Sequence, residues 1–344
     1  MEAGQALKQD ESNKIGLLIP DRSSQGIIRA ANMAIEEANT SGGFKGMPFE
    51  LVVRTTEGPW GAGSKESVAL VYEDNVLAIM GSLDGRNAHL AEQVATKSHI
   101  SYLETRATES TLSQAFVPWF FRCVPNDDQQ SRAILDYINK HGAGPVAILY
   151  CEDYNSRMAA KSFSRISARM GINPPALMMI RSEETTSSQI ANRLKNKEIR
   201  HLVITSHTGI SLDIIREARK MIPSLMVYGT HTFSSGMNMD HSNRASYEKM
   251  VLISKGFLHH VSGEQFRSEF KNRFGKLPGI AESYAYDGMN LIIDAIMKAG
   301  LDREAIKDTI AEIQYSGGVT GSIVFDEFGN RTDPVRFIIG QHNK

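Results

Sequence analysis

The sequence predicts an α/β protein made of two similar halves, each a parallel sheet wound by helices on both faces. Three observations predict it. Short apolar runs alternate with amphipathic helical stretches through most of the chain. The segments between them are short and rich in Gly, Ser, Asp and Thr, as tight connections require. The chain's 344 residues exceed what one ordinary core organises, so two domains are expected.

Residues 15–19 (IGLLI) form a first strand that stops at Pro20. Ser23 or Ser24 then caps a helix over residues 25–39, with Ile27, Ile28, Ala31, Ala34, Ile35 and Ala38 on one face. SGGFKG ends that helix, Gly42 and Gly43 supplying left-handed positions. Residues 49–55 alternate as a strand, EGPWGAG loops over, and a helix covers residues 64–75.

The stretch that organises the chain is residues 76–111. It reads as strand (76–80), polar loop, helix (86–98), strand (100–103) and a second polar loop (105–111). Two parallel strands joined by one helix bring both loops to the same sheet edge. Small ligands bind at that carboxyl-terminal edge in open α/β sheets. Asp84, Gly85, Arg86 and Asn87 are therefore expected to face the same cleft as Thr105, Arg106, Ala107 and Thr108.

A second run of the same kind follows Pro118. Strands are expected at residues 119–124, 146–150, 176–180, 201–205 and 225–228, with helices between them and GTHTFSSG as a loop. The tail breaks the alternation: a strand at 251–257, helices at 264–274, 281–299 and 302–313, the strand GSIVF, the turn DEFGN and a last strand at 335–339. The long helices are expected to complete the first domain.

Hydrophobic residues make up 41% and charged residues 22%, which fits a globular protein. A net charge of -1 gives no electrostatic reason to expect nucleic acid or an anionic membrane as partner. No apolar run reaches the roughly 18 residues of a membrane span. The N-terminus, MEAGQALKQDESNK, lacks a secretory layout, so the protein is either cytoplasmic or begins after a removed signal. Cys123 and Cys151 make no disulfide framework and read as buried free thiols. Rossmann, P-loop and nucleophile-elbow motifs are missing, and His259 and His260 lack spaced partners for a metal. Neither enzyme activity nor a cofactor is expected.

Several segments together resemble the type I periplasmic binding proteins, specifically the branched-chain amino acid (Leu/Ile/Val) receptors of ABC importers. They are the opening IGLLIP, VLAIMGSLDG, FFRCVPNDDQQSRA, VAILYCEDYNSRMA and FDEFGN. ANMAIEEANTSGGFKGMPFELVV joins them, with Ala38 where the family usually has Ile. The resemblance implies two lobes joined by three hinge crossings, near residues 123–124, 254–256 and 325–326. Lobe one would be 1–122 plus 255–325, and lobe two 123–254 plus 326–344. It also implies a small ligand enclosed by hinge closure, a membrane permease as partner, and a periplasmic or extracellular-facing location.

The family's ligand contacts map onto Gly85, Arg86, Arg106, Ala107 and Thr108 in the first lobe. Backbone amides there would hold a ligand carboxylate. Arg86 and Arg106 stand where the family commonly has small residues, and would add planar donors. The alternative is that they face solvent or pair with Asp84, Glu104 or Glu109. In the second lobe Tyr154 matches an aromatic contact, His207 another, and His231 the carboxylate that grips a ligand ammonium. A neutral His serves that purpose poorly. Asp287, on a first-lobe helix, lies near the cleft in the family or orients packing. Trp60 and Phe233 are loop aromatics open to the pocket or to packing. Arg22, with Arg86 and Arg106, favours an anionic ligand, and a small organic carboxylate fits better than leucine. A sensory module of the same fold, acting on a protein partner, is the second reading.

Overall fold

The computed structural model describes residues 13–59, 61–114, 117–181, 185–205, 209–235, 250–253 and 261–339. The first half alternates as expected: β1 (Lys14–Ile19), α1 (Gln25–Thr40), β2 (Glu50–Thr55), α2 (Ala62–Tyr72), β3 (Ala78–Gly81), α3 (Gly85–Lys97), β4 (Ser101–Glu104) and β5 (Phe120–Arg122). The second half continues with α4 (Asp127–Gly142), β6 (Val146–Cys151), α5 (Tyr154–Arg169), β7 (Ala176–Ile180), α6 (Ser187–Asn196), β8 (His201–Ile204), α7 (Gly209–Met221) and β9 (Met226–Gly229). A short α8 (His231–Ser235) and β10 (Met250–Ile253) follow. The tail holds α9 (Val261–Phe274), α10 (Ile280–Ala299), α11 (Arg303–Glu312) and β11 (Phe337–Ile339).

The strands form two sheets. The first runs β2-β1-β3-β4-β5, all parallel. The second runs β11-β10-β9-β8-β6-β7, parallel except for β11, which lies antiparallel on β10. Both sheets reverse direction of winding beside their first strand, between β1 and β3 and between β6 and β8. These reversals open the crevices where α/β sheets take ligands. This is the two-sheet, doubly wound arrangement that the sequence resemblance implies.

Burial explains the pairing. Strands β3 and β4 are buried along their whole length, because helices cover both faces of a parallel sheet. The tail helices pack on the first sheet: Phe266, Phe270, Tyr284, Ile292 and Ile306 share a core with Leu17, Ala30 and Met80. Helices α3, α4 and α5 begin directly after strand ends, and each is capped. Asp84 accepts from the amides of Arg86 and Asn87, Asn126 from Gln129, and Asp153 from Ser156. Such caps contribute about 1 kcal/mol each and fix where the strand-end loops stop.

Three expectations need correction. Residues 231–235 are a helical turn, not a loop. GSIVF forms no continuous strand. It makes single pairings, Tyr315 with Ile323 and Phe325 with Arg331. Cys151 is half-buried rather than buried, while Cys123 is fully enclosed and burial pushes its thiol up to about 12. The crossing expected at 254–256, with His259 and His260, lies outside the described residues.

Two buried arginines tie the chain after β5 to residues 329–331. The Arg122 amide donates to the Gly329 carbonyl at 2.8 Å, and the Arg331 amide to the Arg122 carbonyl at 3.2 Å. The Arg122 guanidinium reaches Asn330 Oδ1 (2.6 Å), Ser113 Oγ (2.8 Å) and the Glu109 carbonyl (2.6 Å). Arg331 donates to the carbonyls of Thr320, Ser322 and Cys123. Gly329 makes this possible: its φ is +73°, and a Cβ there would lie 2.0 Å from the Phe120 carbonyl oxygen. Gly329→Ala is therefore expected to destabilise the fold by at least about 2 kcal/mol, read as a lower urea midpoint. An unchanged midpoint would show that this strand contact is dispensable.

Candidate functional site

The carboxyl-terminal edges of the two sheets carry side chains that meet across a cleft. Tyr154, the first residue of α5, donates its hydroxyl to Glu109 Oε1 at 2.9 Å. Asn155 Oδ1 accepts from the Gly85 amide at 2.9 Å. The Arg86 guanidinium lies over the Tyr154 ring, 5.1 Å from its centroid. Deeper in, His231 meets Tyr284 of α10 edge to face, with ring centroids 5.0 Å apart. In each pair one partner comes from elements on the first sheet and one from elements on the second.

The loops of the first sheet are organised by a residue read in the sequence only as an ion-pair partner. Glu104 is fully buried, and its Oε1 accepts from the amides of Leu83 (3.1 Å), Thr105 (3.1 Å), Arg106 (2.8 Å) and Ala107 (3.0 Å). The Arg86 amide is taken by Asp84 Oδ1. The amides of Gly85, Arg86, Arg106 and Ala107 thus all have acceptors within the protein. Their spare donor capacity is small. The side chains of Arg86 and Arg106 remain exposed.

Ala107 and Thr108 are buried, and the Thr108 carbonyl accepts the Asp127 amide at 2.7 Å, joining this loop to the head of α4. Burial pushes the Asp127 carboxyl up to about 7, against the pull of Thr108 and Arg122. Asp287 is fully buried, and its carboxylate accepts from the amides of Val319 (2.7 Å) and Thr320 (2.8 Å). It anchors the loop after α11 rather than facing open space. Phe233 packs in the core of the second sheet. His207 and Trp60 lie outside the described residues.

His231 is 2% exposed, and burial pulls its imidazole down to about 3, with the Arg106 charge acting the same way. It is therefore neutral at pH 7. Its amide donates to Gln130 Oε1 at 2.8 Å. Arg106 also lowers the Asp21 carboxyl, after the larger effect of hydrogen bonds from Ser23. The Arg106 charge is thus felt at residues following both β1 and β9.

Glu109 was not among the residues expected to bind. Its Oε1 accepts from Tyr154 and Thr111 and lies 3.6 Å from His89 Nε2. Burial pushes its carboxyl up, but bonds from His89, Thr111 and Tyr154 win and hold it below its ordinary value. Its bond to Glu109, then that to Glu92, pushes His89 up to about 9, so His89 is a cation at neutral pH. No local sequence signal marks this set, since its members stand at residues 89, 109 and 154.

A histidine whose folded pKa is raised stabilises the fold most below its unfolded value. The contribution of His89 is complete below about pH 6.5 and is lost as the pH rises through about 9. His89→Gln is expected to flatten the fall of the urea midpoint across that window. Identical pH profiles for the two proteins would refute the ion pair.

The sequence pattern of the family described as Periplasmic binding protein matches residues 12–338. Leu/Ile/Val-binding protein homolog 7 of Brucella abortus is 22% identical over 88% of this chain and 79% of its own length. Glutamate receptor 3.4 of Arabidopsis thaliana is 23% identical over 89% of this chain but 36% of its own. The chain thus spans only about a third of that receptor. Among solved structures, the branched-chain amino acid transporter substrate binding protein LivJ from Streptococcus pneumoniae, in complex with isoleucine, aligns with a TM-score of 0.79 at 20% identity. That alignment covers 96% of this chain and 97% of LivJ. A solute binding protein from R. palustris in complex with benzoate also aligns at 0.79, with 14% identity, covering 95% and 92%. These likenesses extend over both sheets and the cleft between them, and the chain belongs to the periplasmic binding protein family.

Proposed function

We propose that the protein is a solute receptor that encloses a small organic anion between its lobes and delivers it to the permease of an ABC importer. The observation that carries this reading is the cleft itself. Tyr154, Asn155 and His231 from one side reach Glu109, Gly85 and Tyr284 on the other. A ligand seated there would touch both lobes and favour the closed state. The lobe division proposed is 1–122 plus 255–325 against 123–254 plus 326–344, with the pairing of Arg122 and Asn330 at the hinge.

The charge balance favours an anion. Carboxylates at the cleft are largely engaged: Glu104 by amides, Asp287 by amides, Asp21 by Ser23, and Glu109 through Oε1 by Tyr154 and the His89 cation, leaving its Oε2 without a donor. Arg86 and Arg106 present exposed guanidinium groups. With the loop amides occupied, Arg106 is the proposed donor to a ligand carboxylate, and Arg86 the lid residue stacked on Tyr154. Thr108 and His207 are proposed as lining. An extracytoplasmic location follows from the transport role.

A second reading has its own support. Plant glutamate receptors match this chain as part of much longer proteins. The same fold then acts as a sensory module whose closure is transmitted to a protein partner.

Thermal-shift screening of the purified protein against amino acids, aliphatic acids and aromatic acids tests the ligand class. A bound acid at a hundredfold excess over its Kd stabilises by about 2.7 kcal/mol. Arg106→Ala is expected to weaken that acid about 10-fold or more, and Arg86→Ala less, by calorimetric titration. Stabilisation confined to α-amino acids would overturn the anion reading.

A further inference from the structure

Four buried polar atoms around the His231–Tyr284 contact have no partner among the described residues: Ser82 Oγ, Tyr284 Oη, His231 Nδ1 and Ser234 Oγ. Their side chains are at most 2% exposed. An unpaired polar atom is costly to bury, so several together mark a place where a guest completes the bonding. Their placement is common. His231 and Tyr284 touch ring to ring. Ser234 lies one turn along α8 from His231. Ser82 continues the strand face of Met80, whose sulfur is 3.1 Å from where a Cβ on Gly288 would stand, one turn along α10 from Tyr284.

We propose that these atoms form an uncharged hydrogen-bonding subsite that receives a hydroxyl or carbonyl of the ligand and rejects an ammonium. The proposal rests on the reading of the cleft given above and specifies its ligand: an organic acid whose far end is polar but neutral. His231 Nε2 is engaged by Ser235 Oγ at 3.2 Å, which leaves Nδ1 for the guest. The three hydroxyls can each donate or accept. An ammonium would find no free counter-charge here. Asp287 on the same helix is closed off by Val319 and Thr320, and the imidazole of His231 is neutral. The Arg106 charge that His231 feels would repel a cation further. Ser82 and Tyr284 come from elements on the first sheet, His231 and Ser234 from elements on the second. A guest bonded to both sets would hold the lobes together.

The test is calorimetric titration of the wild type and Tyr284→Phe with two series: butyrate, 4-hydroxybutyrate and 4-aminobutyrate; benzoate, 4-hydroxybenzoate and 4-(aminomethyl)benzoate. In the series that binds, the hydroxylated acid is expected to exceed the plain acid by about 3- to 10-fold, and the ammonium compound to bind weakest. Tyr284→Phe deletes a hydroxyl that has no partner in the free protein. It should leave the ligand-free melting temperature unchanged and remove most of the hydroxylated acid's advantage over the plain acid. Equal affinity for plain and hydroxylated acids, or tightest binding of the ammonium compound, would overturn the subsite and leave the receptor reading intact. Binding of no member would overturn both.

Discussion

The cleft depends on one buried carboxylate. Glu104 ends β4 with no solvent exposure, and a charge in that position is expelled unless it is fully bonded. Burial does push its carboxyl above the ordinary range, while amides from two separate loops and the Tyr102 hydroxyl pull the other way. Because Leu83 and Ala107 converge on the same oxygen, the loops after β3 and β4 cannot move independently. Gly81 is required for this. A Cβ there would stand 2.2 Å from the Tyr102 hydroxyl and 2.5 Å from Glu104 Oε2. The result is a rigid platform from which the Arg106 side chain projects. In the receptor role proposed, such preorganisation would favour affinity, because little loop entropy is left to lose on binding.

The second constraint lies at the chain crossings. Arg122 and Arg331 are both buried, and neutral acceptors supply most of their hydrogen bonds. Burial pulls the Arg122 guanidinium down to about 10. Removing one acceptor from such a set leaves a desolvated cation, which is far more costly than losing a surface ion pair. The two arginines therefore lock the pairing of residue 122 with residues 329–331. For the hinge closure proposed, a stiff pivot beside a rigid platform would let the two lobes move as bodies.

Most of the fold was legible because it is written in local periods. The runs IGLLI and VAILYC announce strands, and the helical faces of residues 25–40 and 280–299 announce the layers that cover them. The short α8 was not legible, since five residues carry no period. The site was legible only to the level of loops. Strand-end reasoning brings Gly85 and Arg86 to the same edge as Arg106 and Ala107, the resemblance adds Tyr154, and the structure sets Gly85 and Arg86 against Asn155 and Tyr154. The sequence could not reveal that Glu104 and Asp287 spend their charge on amides. The partners of Asp287 stand more than thirty residues away, and nothing in YAYDG marks them. The meeting of Tyr284 with His231 escapes the sequence for the same reason: the helical pattern buries Tyr284, but its partner is a tertiary fact.

Charge is distributed unevenly over the cleft, and this narrows what it selects. On the outer side Glu109 keeps one oxygen without a donor, yet the imidazolium of His89 offsets its charge. On the inner side His231 is neutral and hydroxyls predominate. Between them Arg106 carries an exposed cation that reaches both Asp21 and His231 electrostatically. On the anion reading, the ammonium of a zwitterion would need a free carboxylate, and the open oxygen of Glu109 belongs to a carboxylate already paired with the His89 cation. Discrimination of this kind works by what is left unpaired: a group that cannot satisfy its site loses more than a well-placed one gains. On the anion reading proposed, the departures from the branched-chain receptor pattern, Arg106 and His231, would act together, one attracting an acid and the other withholding the partner an amine requires.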